Sequence, residues 1–252
     1  MKKTLFTCLI VLLSAGSASA QESANVAYKD NSVRFTVISD GTLRMEYSPN
    51  GKFTDNRSFV AVDRMYPHVN YRLKQDGKKV VIQTDKLVLT YKKNSGKFTP
   101  SNLSVISAKN FFKFSWHPGM QQKGNLLGTY RTLDGCDGDY YAYQKKKLEL
   151  EKGILATDGW TLIDDSKNFL FDNSEWPWVE KRNGGDVQDW YFMAYGHNYK
   201  AALKDFTLFS GKVPLPPKYA FGYWWSRYWS YSDDELRDVI HKFNTYNIPL
   251  DV

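Results

Sequence analysis

The sequence predicts a mainly β protein, an antiparallel β-sandwich followed by the opening of a (β/α)8 barrel. Three observations predict it. Between residues 26 and 116, apolar side chains recur at every second position in short runs, with Asp-Gly pairs between runs. Gly211-Lys212-Val213-Pro214-Leu215-Pro216-Pro217 is a stiff connector, because three prolines in four positions exclude a helix and favour an extended bridge. Beyond it come a continuous aromatic run, a capped helix and a second apolar run.

In chain order, Val33, Phe35 and Val37 alternate with polar residues, and so do Leu43, Met45 and Tyr47 across Asp40-Gly41. Period-two alternation around an Asp-Gly pair is a strong hairpin signal. The pattern repeats around Asp76-Gly77, between residues 71–75 and 78–84, and Leu87, Leu89 and Tyr91 alternate again. Phe111, Phe112, Phe114 and Trp116 read as another β-like run, and further strands are expected over 147–150, 160–163 and 190–195. Residues 198–209 predict a helix with Ala201, Ala202, Phe206 and Phe209 on its apolar face and Gly211 closing it. The sandwich domain is placed at 21–217 and the barrel opening at 218–252.

Within the second part, residues 219–225 read as a strand buried on both faces. Ser232-Asp233-Asp234-Glu235 is a capping box, and Leu236, Val239, Ile240 and Phe243 fall on one helical face. Residues 248–252 begin a second apolar run, which makes the start of a βαβ unit. A parallel sheet does not close on one and a half repeats, so the chain is expected to be the front of a longer protein. Residues 219–252 alone are expected to be disordered or aggregation-prone.

Composition narrows the function classes. The chain has 252 residues, 42% hydrophobic and 24% charged, which excludes disorder over most of its length. Aromatic residues reach 16%, which suits a β-rich fold or a stacking site. Residues 1–20 read as a secretory signal: Lys2 and Lys3, an apolar stretch over 5–13, then Ala18-Ser19-Ala20. Cys8 lies too deep in that stretch to carry a lipid, and no later stretch is long enough to span a membrane. Removing the two lysines takes the formal net charge from +7 to +5. Lys145-Lys146-Lys147, followed by Glu149 and Glu151, reads as a solvated strand edge rather than a nucleic-acid patch. Cys136 is then the single thiol, so no internal disulfide holds the fold. His68, His117, His197 and His241 share no metal-ligand spacing, and two glycosylation-type triplets, at Asn56 and Asn102, are discounted beside a bacterial-type signal.

Residues 221–231 hold the densest chemistry: Phe221, Tyr223, Trp224, Trp225, Tyr228, Trp229 and Tyr231, with Arg227 among them. In a βα barrel the loop after each strand lies on the catalytic face, so Arg227, Trp229 and Tyr231 are read as pocket residues and Phe221, Tyr223 and Trp224 as core. Aromatic faces suit the C–H faces of sugar rings, while phenol and guanidinium edges bond hydroxyls. Asp233, Asp234 and Glu235 are accounted for by capping and the helix dipole. Asp164-Asp165 reads as a strand-end turn with two solvated acids. Asp134, Asp137 and Asp139 mimic a Ca²⁺ loop, but the twelfth position is Lys145 rather than Glu, so the pattern fails.

The stretch Pro214-Leu215-Pro216-Pro217-Lys218-Tyr219-Ala220-Phe221-Gly222-Tyr223-Trp224-Trp225-Ser226-Arg227-Tyr228-Trp229-Ser230-Tyr231-Ser232, with Ile248-Pro249-Leu250-Asp251-Val252, resembles the start of the catalytic barrel of glycoside hydrolase family 31. Residues 125–135, 153–166 and 189–199 resemble segments of that family's N-terminal sandwich, of galactose-mutarotase-like fold. The resemblance implies an exo-acting, retaining α-glycosidase, most often an α-glucosidase, with an oligosaccharide substrate and neither cofactor nor metal. Of the residues present, Tyr231 matches a position lining the terminal-sugar subsite. Loop placement extends this to Trp229 and Arg227, and Arg131 and Asp134 are candidates on a sandwich loop reaching over the barrel mouth. Both catalytic aspartates are expected beyond Val252, so these residues alone are expected to be inactive. An α-transglucosylase or α-xylosidase of the same family is the nearest variant, and a non-catalytic carbohydrate-binding sandwich is the rival. The expected location is the periplasm of a Gram-negative bacterium, with no membrane association after signal cleavage and no nucleic-acid partner.

Overall fold

The computed structural model describes residues 25–128, 150–182 and 185–252. The chain falls into two compact units that part between Gly211 and Lys212. Among the described residues, no helix is long and apolar enough to cross a membrane.

The first unit holds two five-stranded antiparallel sheets among its described residues. One contains β1 (Val26–Lys29), β2 (Val33–Val37), β3 (Thr42–Tyr47), β9 (Trp160–Asp164) and β12 (Gln188–Ala194), in the order β1-β2-β3-β12-β9. The other runs in chain order through β4 (Arg72–Gln75), β5 (Lys79–Gln83), β6 (Leu87–Lys92), β7 (Leu103–Ser107) and β8 (Ser115–Trp116). Val33, Phe35 and Val37 of the first sheet meet Val80, Ile82, Leu89, Tyr91 and Trp116 of the second in one buried cluster, so the unit is a β-sandwich. Both anticipated hairpins form. Val33 pairs with Tyr47 and Val37 with Leu43, and Arg72 pairs with Gln83 and Gln75 with Val80. Gly41 earns its place by closeness rather than by turn type. Neither Asp40 nor Gly41 takes a positive φ, but a Cβ on Gly41 would run into the Ala194 carbonyl oxygen, and Ala194 N–H donates to Gly41 O at 2.7 Å.

The first sheet is covered on its other face as well. There Ile38, Tyr191, Met193 and Tyr195 pack with Ala202 and Phe209 of helix α1 (Tyr199–Ser210). The Tyr191 and Phe209 rings stack with centroids 4.4 Å apart. Asn198 Oδ1 caps α1 by accepting from Ala201 N–H, and Gly211, at φ 79°, ends it. Every residue of β2 and of β12 is therefore buried.

Several expectations need correction. Of the run at 111–116, only Ser115–Trp116 is strand. Phe111 N–H closes a turn on Ala108 O, and Phe112 packs instead against His197, with ring centroids 4.6 Å apart. Residues 219–225 are not a buried strand. Lys218–Phe221 is a 3-10 helix, and Phe221 and Trp224 are 76% and 58% exposed. A parallel strand is held by neighbours on both sides, and the described residues offer 223–225 only the chain's last two residues. Leu150 carries no regular structure, while Lys147 and the rest of that expected strand lie outside the described residues. The ribbon of β10 (Leu170–Phe171) and β11 (Val179–Glu180), and strand β7, are additions to the sequence reading.

Asp165 is a further correction, because it is fully buried rather than solvated. It closes a network of charge on the covered face of the first sheet. Arg34 grips Glu46 through Nε at 2.6 Å and Nη2 at 2.9 Å, and Asp55 through Nη1 at 2.9 Å and Nη2 at 2.7 Å. Arg44 holds Asp189 through Nε and Nη2, both at 2.9 Å, and reaches Asp55 at 3.0 Å and Glu46 at 3.0 Å. Arg182 joins Asp189 at 2.9 Å to Asp165 at 2.6 Å. Ser58 Oγ and Asn168 Nδ2 donate the remaining bonds to Asp165. Arg64 donates to the Tyr191 hydroxyl. Bidentate geometry and satisfied lone pairs are what make buried ion pairs tolerable.

The carboxylates divide accordingly. Burial alone would raise Asp189, but the charges of Arg44 and Arg182 outweigh it and hold the group well below the usual carboxylate range. Burial pushes Glu46 up against the opposing charges of Arg44 and Arg34, and the charge of Asp189 adds to the rise. Burial also raises Asp165, with the charge of Asp189 adding to it. Asp55 is half in solvent; burial would raise it, yet its bonds to Arg34 and Arg44 bring it down to about 2.

Two predictions follow from this network. Arg44→Met removes the cation shared by three carboxylates and leaves buried Glu46 and Asp189 underpaired. A loss of about 3–5 kcal/mol in urea unfolding is expected; a loss below about 1 kcal/mol would show that the network does not hold the sheet. Asp55 has a lower pKa folded than unfolded, so its stabilisation is present above about pH 4 and fades as pH falls towards about 2. Asp55→Asn should therefore lower the urea midpoint at pH 7, with the gap to the parent narrowing below about pH 4. A gap that stays constant between about pH 7 and pH 3 would contradict this.

Candidate functional site

The second unit builds its local geometry around a parallel contact. Tyr223 O accepts from Val252 N–H at 3.2 Å, and Trp225 N–H donates to Val252 O at 2.9 Å. These two bonds are the pattern of a parallel bridge between Trp224 and Val252. Asp251 reinforces it: its Oδ2 accepts from Tyr223 N–H at 2.8 Å, and its side chain fills the space a Cβ on Gly222 would need. Helix α2 (Asp233–Thr245) is the crossover between the bridged segments. Phe243 of α2 packs against Tyr223 and Trp225, with ring centroids 6.4 Å and 5.9 Å apart. A shallow apolar groove of about 180 Å³ lies along the helix, lined by Val239, Lys242, Phe243, Tyr246 and Ile248.

The anticipated capping box is complete. Ser232 Oγ accepts from Glu235 N–H at 3.3 Å, and Glu235 Oε2 accepts from Ser232 N–H at 2.8 Å. These bonds from Ser232 hold the Glu235 carboxyl below its usual range. Asp233 is bonded to Arg237 one turn on. The acids at the start of α2 thus serve the helix.

Arg227, Trp229 and Tyr231 lie on the segment between the bridge and α2. The Arg227 guanidinium sits 5.2 Å over the Trp229 ring, a cation–π pair that presents a flat aromatic edge beside a hydrogen-bond donor. Tyr231 is drawn towards Trp225, with ring centroids 6.0 Å apart, and Tyr231 N–H donates to Trp229 O. The Tyr231 hydroxyl is enclosed and has no hydrogen-bond partner among the described residues. The three side chains thus make an aromatic wall with one guanidinium and one enclosed phenol. Arg131 and Asp134 lie outside the described residues. Among the described residues, no group of three His, Cys, Asp or Glu is placed to hold a metal ion.

Two features escaped the sequence reading. The charged positions Arg34, Arg44, Glu46 and Asp189 look like the solvent side of alternating strands, and only the second covering layer reveals them as buried. Trp176 and Trp178, 84% and 68% exposed, lie in a stretch with neither period, and the order Trp-Pro-Trp is their one sequence signal.

Residues 213–252 match the family model of the glycosyl hydrolases family 31 TIM-barrel domain. An alpha-xylosidase of Saccharolobus solfataricus is 39% identical over 62 residues, 25% of this chain and 8% of that protein. Alpha-glucosidase 2 of Bacillus thermoamyloliquefaciens is 41% identical over 68 residues, 27% of this chain and 8% of that protein. The matched stretches are thus under a tenth of these relatives' lengths. Among solved structures, a GH31 alpha-xylosidase from a soil metagenome aligns with a TM-score of 0.47 at 12% identity, over 89% of this chain and 39% of that one. Over residues 213–252, the chain is thus similar to the barrel domain of the glycosyl hydrolases family 31.

Proposed function

We propose that this chain is the N-terminal part of an exported, retaining α-glycosidase that removes terminal α-linked glucose from oligosaccharides. The observation that carries the reading is the segment 213–252, which joins the family match to a backbone contact between residues 223–225 and 251–252, a capped helix between them and an aromatic wall. In this reading Tyr231 lines the terminal-sugar subsite, and Arg227 and Trp229 flank it. Retaining chemistry uses two carboxyl groups about 5–5.5 Å apart, a nucleophile and an acid/base. Asp233, Asp234 and Glu235 are committed to starting α2, so the reading assigns both roles to barrel segments following the matched one. Residues 1–20 direct the protein to the periplasm. Release of α-linked xylose is the second reading, favoured by the alpha-xylosidase that is 39% identical to this chain over 62 residues.

The test uses the full-length protein with p-nitrophenyl α-glucoside and α-xyloside, the first sugar released being followed by proton NMR. Hydrolysis with the α-anomer appearing first supports the reading, and the preferred glycoside separates its two forms. Turnover of neither substrate, or the β-anomer first, overturns it.

Tyr231→Ala should lower kcat/KM on the preferred glycoside while the unfolding free energy stays within about 1 kcal/mol of the parent. A large loss of stability with turnover intact would return Tyr231 to a packing role.

A further inference from the structure

The β10–β11 ribbon ends in a turn, residues 172–178, that is stiff and yet displays two tryptophans to solvent. Asp172 organises the turn. Its Oδ1 accepts from Ser174 N–H at 3.2 Å and Trp178 N–H at 3.0 Å, and its own N–H donates to Trp178 O at 2.9 Å. The Ser174 hydroxyl lies 2.6 Å from that carboxylate and 2.8 Å from Trp176 O. The ribbon is in turn fastened to the rest of its unit. Phe171 N–H donates to Arg57 O at 2.7 Å, Leu170 bridges to Ser58, and Asn56 is bonded to both Asn173 and Glu180.

Large exposed aromatic groups on a fixed scaffold mark a binding surface. The sequence from Leu170 to Glu180 contains Asp172, Glu175 and Glu180 and no basic residue, so it repels nucleic acid and anionic lipid. Pro177 disfavours a helical Trp176, and the two indoles stand two residues apart in one turn, so both are offered to the same stretch of solvent-facing surface. Indole faces pack on sugar C–H faces, while amide and carboxylate groups at the rim bond hydroxyls.

From this we infer that Trp176 and Trp178 form a binding platform for a neutral oligosaccharide chain. Because the turn is already fixed, little conformational freedom is lost when the sugar docks. The inference rests on the ribbon alone and is independent of whether the protein cleaves α-glycosides.

The test is native affinity electrophoresis of the full-length protein in gels containing dextran, soluble starch or pullulan. Retardation in at least one gel is expected. Trp176→Ala and Trp178→Ala should each weaken it, and the double variant should bind about tenfold less tightly or worse, with an unchanged melting temperature. No retardation in any of the three gels, or equal retardation of the double variant, overturns the inference. Should the double variant instead turn a dimer into a monomer by light scattering, with glucan binding unaltered, the tryptophans form a contact between copies and the inference falls. Covalent side-chain labelling of the parent protein, read by mass spectrometry, needs no variant: the retarding glucan must protect the peptide 170–180, and its absence of effect there overturns the inference equally.

Discussion

Arg44 lies between Glu46, Asp55 and Asp189 on a sheet face that a second layer covers. Much of the first unit answers to that placement. Three neighbouring strands, β2, β3 and β12, put charged residues on this face, and burial makes each of them costly unless paired. The pairing recruits groups far apart in sequence: Asp55 and Ser58 from one loop, Asp165 from the end of β9, and Arg182 from beyond the β10–β11 ribbon. The network thereby fixes how these irregular stretches run over the sheet, which hydrophobic contact alone leaves loosely specified. Tyr191 couples it to apolar packing, since its ring stacks on Phe209 while its hydroxyl meets Arg64.

The sandwich was legible wherever one physical rule acts over a few residues. Period-two runs and Asp-Gly pairs located β2, β3, β4, β5 and β6, and Asn198 with Gly211 bracketed α1. What the sequence hid depends on partners from elsewhere in the chain. Alternation told which residues of β2 and β3 share a face, but not that both faces are covered. Asp165 looked like half of a solvated pair because its three partners, Ser58, Asn168 and Arg182, lie between 3 and 107 residues away. Phe111, Phe112 and Phe114 have strand-like composition and were drawn into a loop by rings and glycines across the fold.

The barrel-opening segment shows the same division. Ser232 and Glu235 need only each other, and their box formed as read. The aromatic run 219–225 needs flanking strands, and with one bridge to Val252 it stays largely exposed. The aromatic wall of Arg227, Trp229 and Tyr231 was legible as composition, and its internal pairing of Arg227 with Trp229 was not, because a cation above a ring is a matter of backbone course. Trp176 and Trp178 carried no periodic signal at all. Their display depends on Asp172, whose short side chain gathers the turn.

The two Asp-Gly turns differ in how much freedom they leave for engineering. At Asp40-Gly41 the backbone is pressed against β12, where any side chain on Gly41 would strike Ala194, so an epitope or fluorescent label inserted there would prise the strand away. At Asp76-Gly77 nothing lies within 4 Å of the place a Cβ would occupy, and Asp76 alone shapes the bend through Lys78 N–H and Lys79 N–H. Two turns with the same pair of residues thus have opposite permissiveness, and the second is the natural attachment point for a probe on this sandwich.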